Sequence, residues 1–181
     1  MGTGIRATVT DRSISIQANR PLFSSLWINY PVKMAAPDVY KNVGGQALAL
    51  FQDNPTGYAN ACALRLSKAL NYGGMPIKQT TKGYKVKGGD NKIYLLRVKE
   101  MIAFVESNLG KADITLKPKN NQDVSSQLIN KKGIIIFKVS GWGDASGHVT
   151  LWNGNDCGDS CYFIHQQPNV ITTEILFWNL K

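Results

Sequence analysis

The spacing of apolar residues changes in the last third of this chain, and that change limits the fold more than any other feature. Between Pro21 and Leu109 the apolar positions of the main segments recur every three or four residues, the period of a helix with one face in a core. From Gly133 they run together or alternate, as they do in strands. Residues 21–30 carry Phe23, Leu26, Trp27 and Tyr30 at helical spacing, behind a proline suited to a helix start. Residues 39–43 predict a further helical turn, broken at Gly44 and Gly45. Residues 59–72 predict the strongest helix, with Ala63, Leu66, Ala69 and Leu70 as an inward stripe. Gly73, Gly74 and Pro76 stop it. Residues 94–109 predict another helix, capped by Gly110, and residues 124–128 one more turn. Residues 78–89 read as a loop or hairpin. Gly133–Ser140 reads as a buried strand rich in β-branched residues, followed by strands over 148–152, 162–164 and 172–179. Helices first and an antiparallel sheet last predict an α+β fold in one domain, a size that 181 residues suits. The domain is expected over residues 21–181. Residues 1–20 are expected to be an N-terminal extension, either an edge strand or an appended tail.

Charge narrows the partners. The chain has 21 Lys and Arg against 12 Asp and Glu, a formal charge of +9. Such a balance favours anionic partners. The lysines are scattered, however, and no nucleic-acid motif accompanies them. A solvated basic surface is therefore preferred over a nucleic-acid site. Attraction to an acidic polymer or an acidic binding protein is the functional alternative. The longest apolar stretch in mid-chain, residues 133–137, is far too short to cross a bilayer, and no membrane span is expected. Residues 1–6 open no apolar run of the kind a signal peptide needs. Export would then follow removal of a leader before this numbering, or use another route.

The three cysteines divide into a close pair, Cys157 and Cys161, and a lone Cys62. This fits one small disulfide and one free thiol, and a disulfide implies an oxidising compartment. A metal site is disfavoured, because only two histidines exist and no second cysteine pair completes a zinc set. Cys62 falls in the first turn of the predicted 59–72 helix. There the unpaired N–H groups and the helix dipole favour a thiolate, which is the nucleophilic form. A nucleophile of this kind needs an acid/base partner, and imidazole suits that work at neutral pH. His148, opening a predicted strand behind Gly147, is the better candidate; His165 ends another strand. A third residue should hold the second ring nitrogen, and Asn155, Asp156 and Asp159 lie just downstream. A Cys157–Cys161 bridge would fix Asp159 between its two ends. Ordinary turn roles explain Asp156 and Asp159 equally well, and an inert buried cysteine explains Cys62. Gly141, Gly143 and Gly147 either leave room for substrate or are plain turn residues. Trp152 is expected in the core, while Trp142 is open to either wall or core.

Three segments resemble one family. Asn60 to Ser67, with Leu70 to Gly74, resembles the nucleophile helix of the type VI secretion amidase effectors of the fourth family. Gly147 to Gly154 is similar to that family's histidine strand, and the cysteine-containing loop with Tyr162 and Phe163 follows it. Tyr94 to Phe104 also looks like that family's intermediate helix. The resemblance covers roughly residues 21–177. It implies a papain-like fold related to NlpC-type cell-wall peptidases, and cleavage between γ-D-glutamate and meso-diaminopimelate in peptidoglycan stem peptides. It also implies delivery by the type VI secretion apparatus into the periplasm of a competing Gram-negative cell, and a cognate periplasmic immunity protein that covers the site. Carried over by motif, Cys62 is the nucleophile and His148 the base. Asp159 matches the third residue by its distance from His148, with Asp156 the alternative. No cofactor and no metal are implied. Two rivals remain in view: a papain-like amidase or transferase toxin acting on proteins, and a non-enzymatic basic binding module.

Overall fold

The computed structural model describes the backbone of residues 5–9 and 12–16, and residues 20–119, 121–143 and 146–181 in full. The expected turn at 141–147 therefore lies partly outside the described residues, at Asp144 and Ala145. Near the N-terminus, β1 (Ile5–Val9) and β2 (Arg12–Ile16) pair antiparallel, Ile5 opposite Ile16, as a two-stranded sheet of their own. The helices follow: α1 (Phe23–Ile28), α2 (Ala36–Val43), α3 (Gly45–Asp53) and α4 (Cys62–Tyr72). A short hairpin of β3 (Val86–Lys87) and β4 (Ile93–Tyr94) precedes α5 (Val98–Leu109). The main sheet has the order β5-β8-β6-β7 and is antiparallel throughout: β5 (Ile114–Leu116), β6 (Gly133–Ser140), β7 (Gly147–Trp152) and β8 (Ile171–Asn179). The α+β order expected from the change of period is the order observed.

Three packing clusters explain the sequence pattern. The helical side of the sheet places Ile134, Ile136, Val149, Leu151 and Trp178 against Leu26, Leu66, Leu70, Met101 and Val105. Its other face packs Ile135, Phe137, Trp152, Ile175 and Phe177 with Leu128 and Phe163. Because both faces are covered, β6 is buried at almost every position, and its unbroken Ile-Ile-Ile-Phe run is what such a strand requires. The third cluster joins Tyr40, Val43 and Ala47 to Leu64, Val86 and Tyr94. Helix α4 therefore lies between two cores, and Cys62 to Ser67 are buried in an unbroken row. The single inward stripe expected for it is too narrow: Leu64 serves the second core.

Two other expectations need correction. The helix read from residue 94 begins at Val98, because Ile93 and Tyr94 pair with β3. Residues 162–164 do not form a strand; they bend, and Phe163 packs edge-on against Phe137 and Trp152 instead. Two elements were not anticipated. They are α3, whose apolar residues 47–51 run together without helical spacing, and β5, only three residues long. At the start of the fully described chain, Arg20 pairs with Asp113 and donates to the carbonyl oxygens of Leu109, at 3.3 Å, and Asn179, at 3.0 Å.

Candidate active site

Cys62 is the first residue of α4 and the free cysteine of the chain. It is buried, and no side chain caps the N–H groups of that helix end. Such N–H groups carry the positive end of the helix dipole. The helix can begin there because Ala61 supplies the first carbonyl, accepting from the N–H of Arg65 at 2.9 Å. Apolar burial on both sides of α4 fixes the sulfur against the edge of the sheet.

His148 stands opposite Phe137 in the β6–β7 register, on a strand buried at every position. Gly147 allows the strands to approach: a Cβ there would lie 2.3 Å from the Phe137 carbonyl oxygen. A Cβ on Gly141 would lie 2.0 Å from that of Asn169, so packing demands glycine at both positions. The His148 Nε2 meets Asp159 Oδ1 at 2.9 Å. Cys62 lies close enough to act on the imidazole electrostatically, and Nδ1 is the ring nitrogen that Asp159 leaves open. Burial alone pulls the His148 pKa down. Hydrogen bonding to Asp159, the interaction with Cys62 and the charge of Asp159 outweigh it and push the value up to about 9. The ring therefore holds its second proton at neutral pH.

Asp159 sits at the middle of the loop closed by the Cys157–Cys161 disulfide. Its carboxylate is almost buried, and burial raises its pKa. Hydrogen bonding and the charge of His148, then hydrogen bonds from Thr150 and from the backbone of Ser160, bring it below the usual range. The second oxygen, Oδ2, lies 3.4 Å from Arg65 Nε, and Arg65 Nη1 donates to the Pro31 carbonyl at 3.2 Å. Thr150 is in turn bonded to the Tyr30 hydroxyl at 3.0 Å. The main chain of the loop is pinned as well. Gly158 N–H donates to Leu151 O, Lys33 N–H to Gly158 O, and Lys33 Nζ to Asp159 O at 2.7 Å. A Cβ on Gly158 would meet the Tyr30 ring at 2.7 Å, so only glycine allows this seat.

The structure thus brings Cys62, His148 and Asp159 together, with His148 hydrogen-bonded to Asp159 and Cys62 beside the ring. Asp156 is elsewhere: its carboxylate is exposed, accepts from the Cys157 N–H at 2.8 Å and pairs with Lys33 at 3.1 Å. Asn155 is exposed on the same turn. His165 bonds Thr172 Oγ1 at 2.8 Å and stacks on Tyr162, with burial lowering its pKa. Trp152 lies in the core, its indole N–H on Leu128 O at 2.9 Å, whereas Trp142 lines a cleft. That cleft holds about 490 Å³ beside His148. A second cavity of about 430 Å³ opens beside Cys62, and Asn60 lines both.

Sequence reasoning passed over Arg65, Thr150 and Tyr30. Two of them carried a signal. Arg65 is three residues beyond Cys62, on a neighbouring position of one helix surface. Thr150 is two beyond His148, on the same side of one strand. Tyr30 had none. Among the described residues no cluster of His, Cys, Asp or Glu could hold a metal ion, and no helix is long and apolar enough to cross a membrane.

Comparison with known proteins gives the family of the chain. Residues 58–178 match the model of the family described as type VI secretion system amidase effector protein 4. Among curated proteins, none matches the chain. The effector Tae4 from Enterobacter cloacae, solved in an effector–immunity complex with Tai4, is 42% identical with a TM-score of 0.79, over 90% of this chain and 100% of that one. The same effector solved without Tai4 is 41% identical over 92% and 100%, again at 0.79. Tae4 from Salmonella typhimurium, in complex with Tai4 from Enterobacter cloacae, is 36% identical over 90% and 100%, with a TM-score of 0.79. The α+β fold is the papain-like, NlpC-type fold of those effectors. The chain belongs to the type VI secretion amidase effector 4 family.

Proposed function

We propose that this protein is a peptidoglycan amidase that hydrolyses the bond between γ-D-glutamate and meso-diaminopimelate, with Cys62, His148 and Asp159 as its catalytic line. The observation that carries the reading is a helix-end sulfur beside a buried imidazole that is hydrogen-bonded to a nearly buried carboxylate, with a cavity on either side. The Cys62 sulfur attacks the γ-glutamyl carbonyl carbon, and the carbonyl π pair moves onto oxygen. The uncapped N–H groups at the start of α4, that of Cys62 among them, stabilise this oxyanion. As the tetrahedral species collapses, the C–N bond breaks and His148 gives its proton to the departing diaminopimelate amine. The resulting thioester is attacked by a water from which His148 takes a proton. The thiolate then leaves and a free γ-carboxylate remains. Asp159 keeps the ring oriented and stabilises its positive form.

Family membership supports delivery by a type VI apparatus into the periplasm of a target cell. The Cys157–Cys161 disulfide fits that oxidising compartment. A cognate periplasmic immunity protein that covers the cleft is the expected partner. The test is mass spectrometry of purified sacculi digested by the protein. Fragments with a newly freed diaminopimelate amine are expected. Intact sacculi alongside cleaved or modified proteins would favour the protein-directed toxin instead. Iodoacetamide labelling of Cys62 no faster than that of a free model thiol would favour the binding module.

A further inference from the structure

The two cavities that meet at Asn60 differ in character. The one beside His148 is walled by Trp142, Tyr162 and the neutral amides of Gln166 and Gln167. The one beside Cys62 carries two cations, Arg97 and Lys99, with Tyr58 and Asn54, and no acidic residue lines it. Both cations are exposed. The ion pairs found among the described residues use Arg20, Lys33, Arg65, Lys117, Lys138 and His148, not these two. The Arg97 guanidinium lies over the Tyr84 ring, 4.5 Å from its centroid. That contact steadies the group and leaves its charge and its hydrogen-bonding edge available.

Chemistry decides which half of a substrate enters which cavity. The departing amine must come within reach of the imidazole, so the leaving half lies on the His148 side. The acyl half is bonded to Cys62 in the intermediate and extends over the cavity beside that sulfur. On the amidase reading, on which this inference rests, the acyl residue is a glutamate joined through its side chain. Its α-carboxylate is then left free, negative and close to the reacting carbon.

We propose that Arg97 and Lys99 form a carboxylate-reading subsite, which makes the enzyme selective for stems whose glutamate α-carboxylate is free over stems in which it is amidated. Charge-assisted hydrogen bonds to a carboxylate, partly screened at this exposed site, place the preference at about tenfold in kcat/KM. Screening also makes it fall as salt rises.

The test uses two soluble peptides, L-Ala-γ-D-Glu-diaminopimelate and its α-amidated isoglutamine counterpart. Each is given to the wild-type protein, to the double variant Arg97→Gln with Lys99→Gln, and to Lys119→Gln as a control for loss of surface charge. The wild type is expected to prefer the free acid about tenfold, and the double variant to lower that ratio below about threefold. Lys119→Gln should keep the wild-type ratio. Equal wild-type rates on the two peptides would overturn the subsite while leaving the amidase reading intact. So would a double variant that keeps the preference. Cleavage of neither peptide by the wild type would overturn both.

Discussion

The two histidines stand beside the same cavity in opposite surroundings. His148 lies on β7, bonded to the Asp159 carboxylate with Cys62 beside it, and these neighbours outweigh the effect of burial. His165 lies outside any strand and faces a hydroxyl, Thr172, and the flat of Tyr162. Burial lowers its pKa, and no negative neighbour reverses the shift. At neutral pH one ring is an acid with a proton to give, and the other is a neutral wall. Competence for catalysis comes from what grips the second nitrogen, not from the presence of imidazole in the cleft.

The sharpest way to break this contrast is substitution at both positions. His148→Ala is expected to lower kcat/KM by about 10⁴-fold, as is Cys62→Ala, because each removes a member of one unit. His165→Ala should change it by less than about tenfold, since loss of a wall contact touches binding alone. Steady-state rates on a γ-D-glutamyl-diaminopimelate peptide decide the matter. Comparable losses at the two histidines would erase the distinction.

Asp159 supplies the next test, because it is the group that raises one histidine and has no counterpart beside the other. Asp159→Asn is expected to cost about 10²-fold in kcat, less than removing the base itself. Its signature is in the pH profile. Wild-type activity should decline on the alkaline side as His148 loses its proton at about pH 9, and the variant's decline should begin at lower pH. Stability follows the same sign. His148 has a folded pKa above its ordinary 6.5, so its stabilising contribution is complete below 6.5 and is lost as pH rises through about 9. The thermal midpoint should therefore fall more steeply from pH 7 to 10 in the wild type than in the variant. An unmoved alkaline limb in Asp159→Asn would detach the carboxylate from the base.

These contrasts show which parts of the site can be read from a sequence. Cys62 was legible because a helix start is a local event, written in Ala, Leu and the closing glycines. The strand of His148 was legible from alternation and from Gly147. What joins them is not local. The segments that meet at Asp159 are α4, β7 and the stretch from Tyr30 to Lys33, and no period links them. The same reason hid the choice between Asp156 and Asp159, three residues apart in one turn, of which packing against Tyr30 and Arg65 turns only one inward. Tyr162 to Ile164 misled because aromatic and β-branched residues favour strands, yet here Tyr162 and Phe163 pack against the sheet from a bend and Ile164 is exposed.

Arg65 sharpens the comparison from the other side, since it is the cation that holds Asp159 from the helix that begins at Cys62. Arg65→Ala is expected to cost about tenfold in kcat, because the carboxylate keeps His148 and Thr150 as partners. Stripping one partner from this nearly buried pair should also cost about 3 kcal/mol of stability, measured by urea unfolding. Arg65→Lys retains the charge without the planar fork and should recover part of the rate. Full activity in Arg65→Ala would make the ion pair a matter of stability alone.

The smallest expected effect belongs to the disulfide. Cys157–Cys161 closes a loop with only three residues between its cysteines, so by chain entropy it adds at most about 2 kcal/mol. Its chemical weight lies in the residue it encloses. The loop also hangs on Lys33, Leu151 and the seat of Gly158 against Tyr30, so a reduced loop keeps Asp159 near His148 for part of the time. Reduction is therefore expected to slow turnover about threefold, through a less constant hold on the imidazole, and to shift the alkaline limb slightly downward. The double variant Cys157→Ser with Cys161→Ser should show that slower rate with or without reductant. Its use separates the loop's disulfide from any action of reductant on Cys62. A variant as fast as the oxidised wild type would mean that the non-covalent contacts alone fix Asp159. A large fall in melting temperature with no change in rate would assign the disulfide to the fold and not to the base.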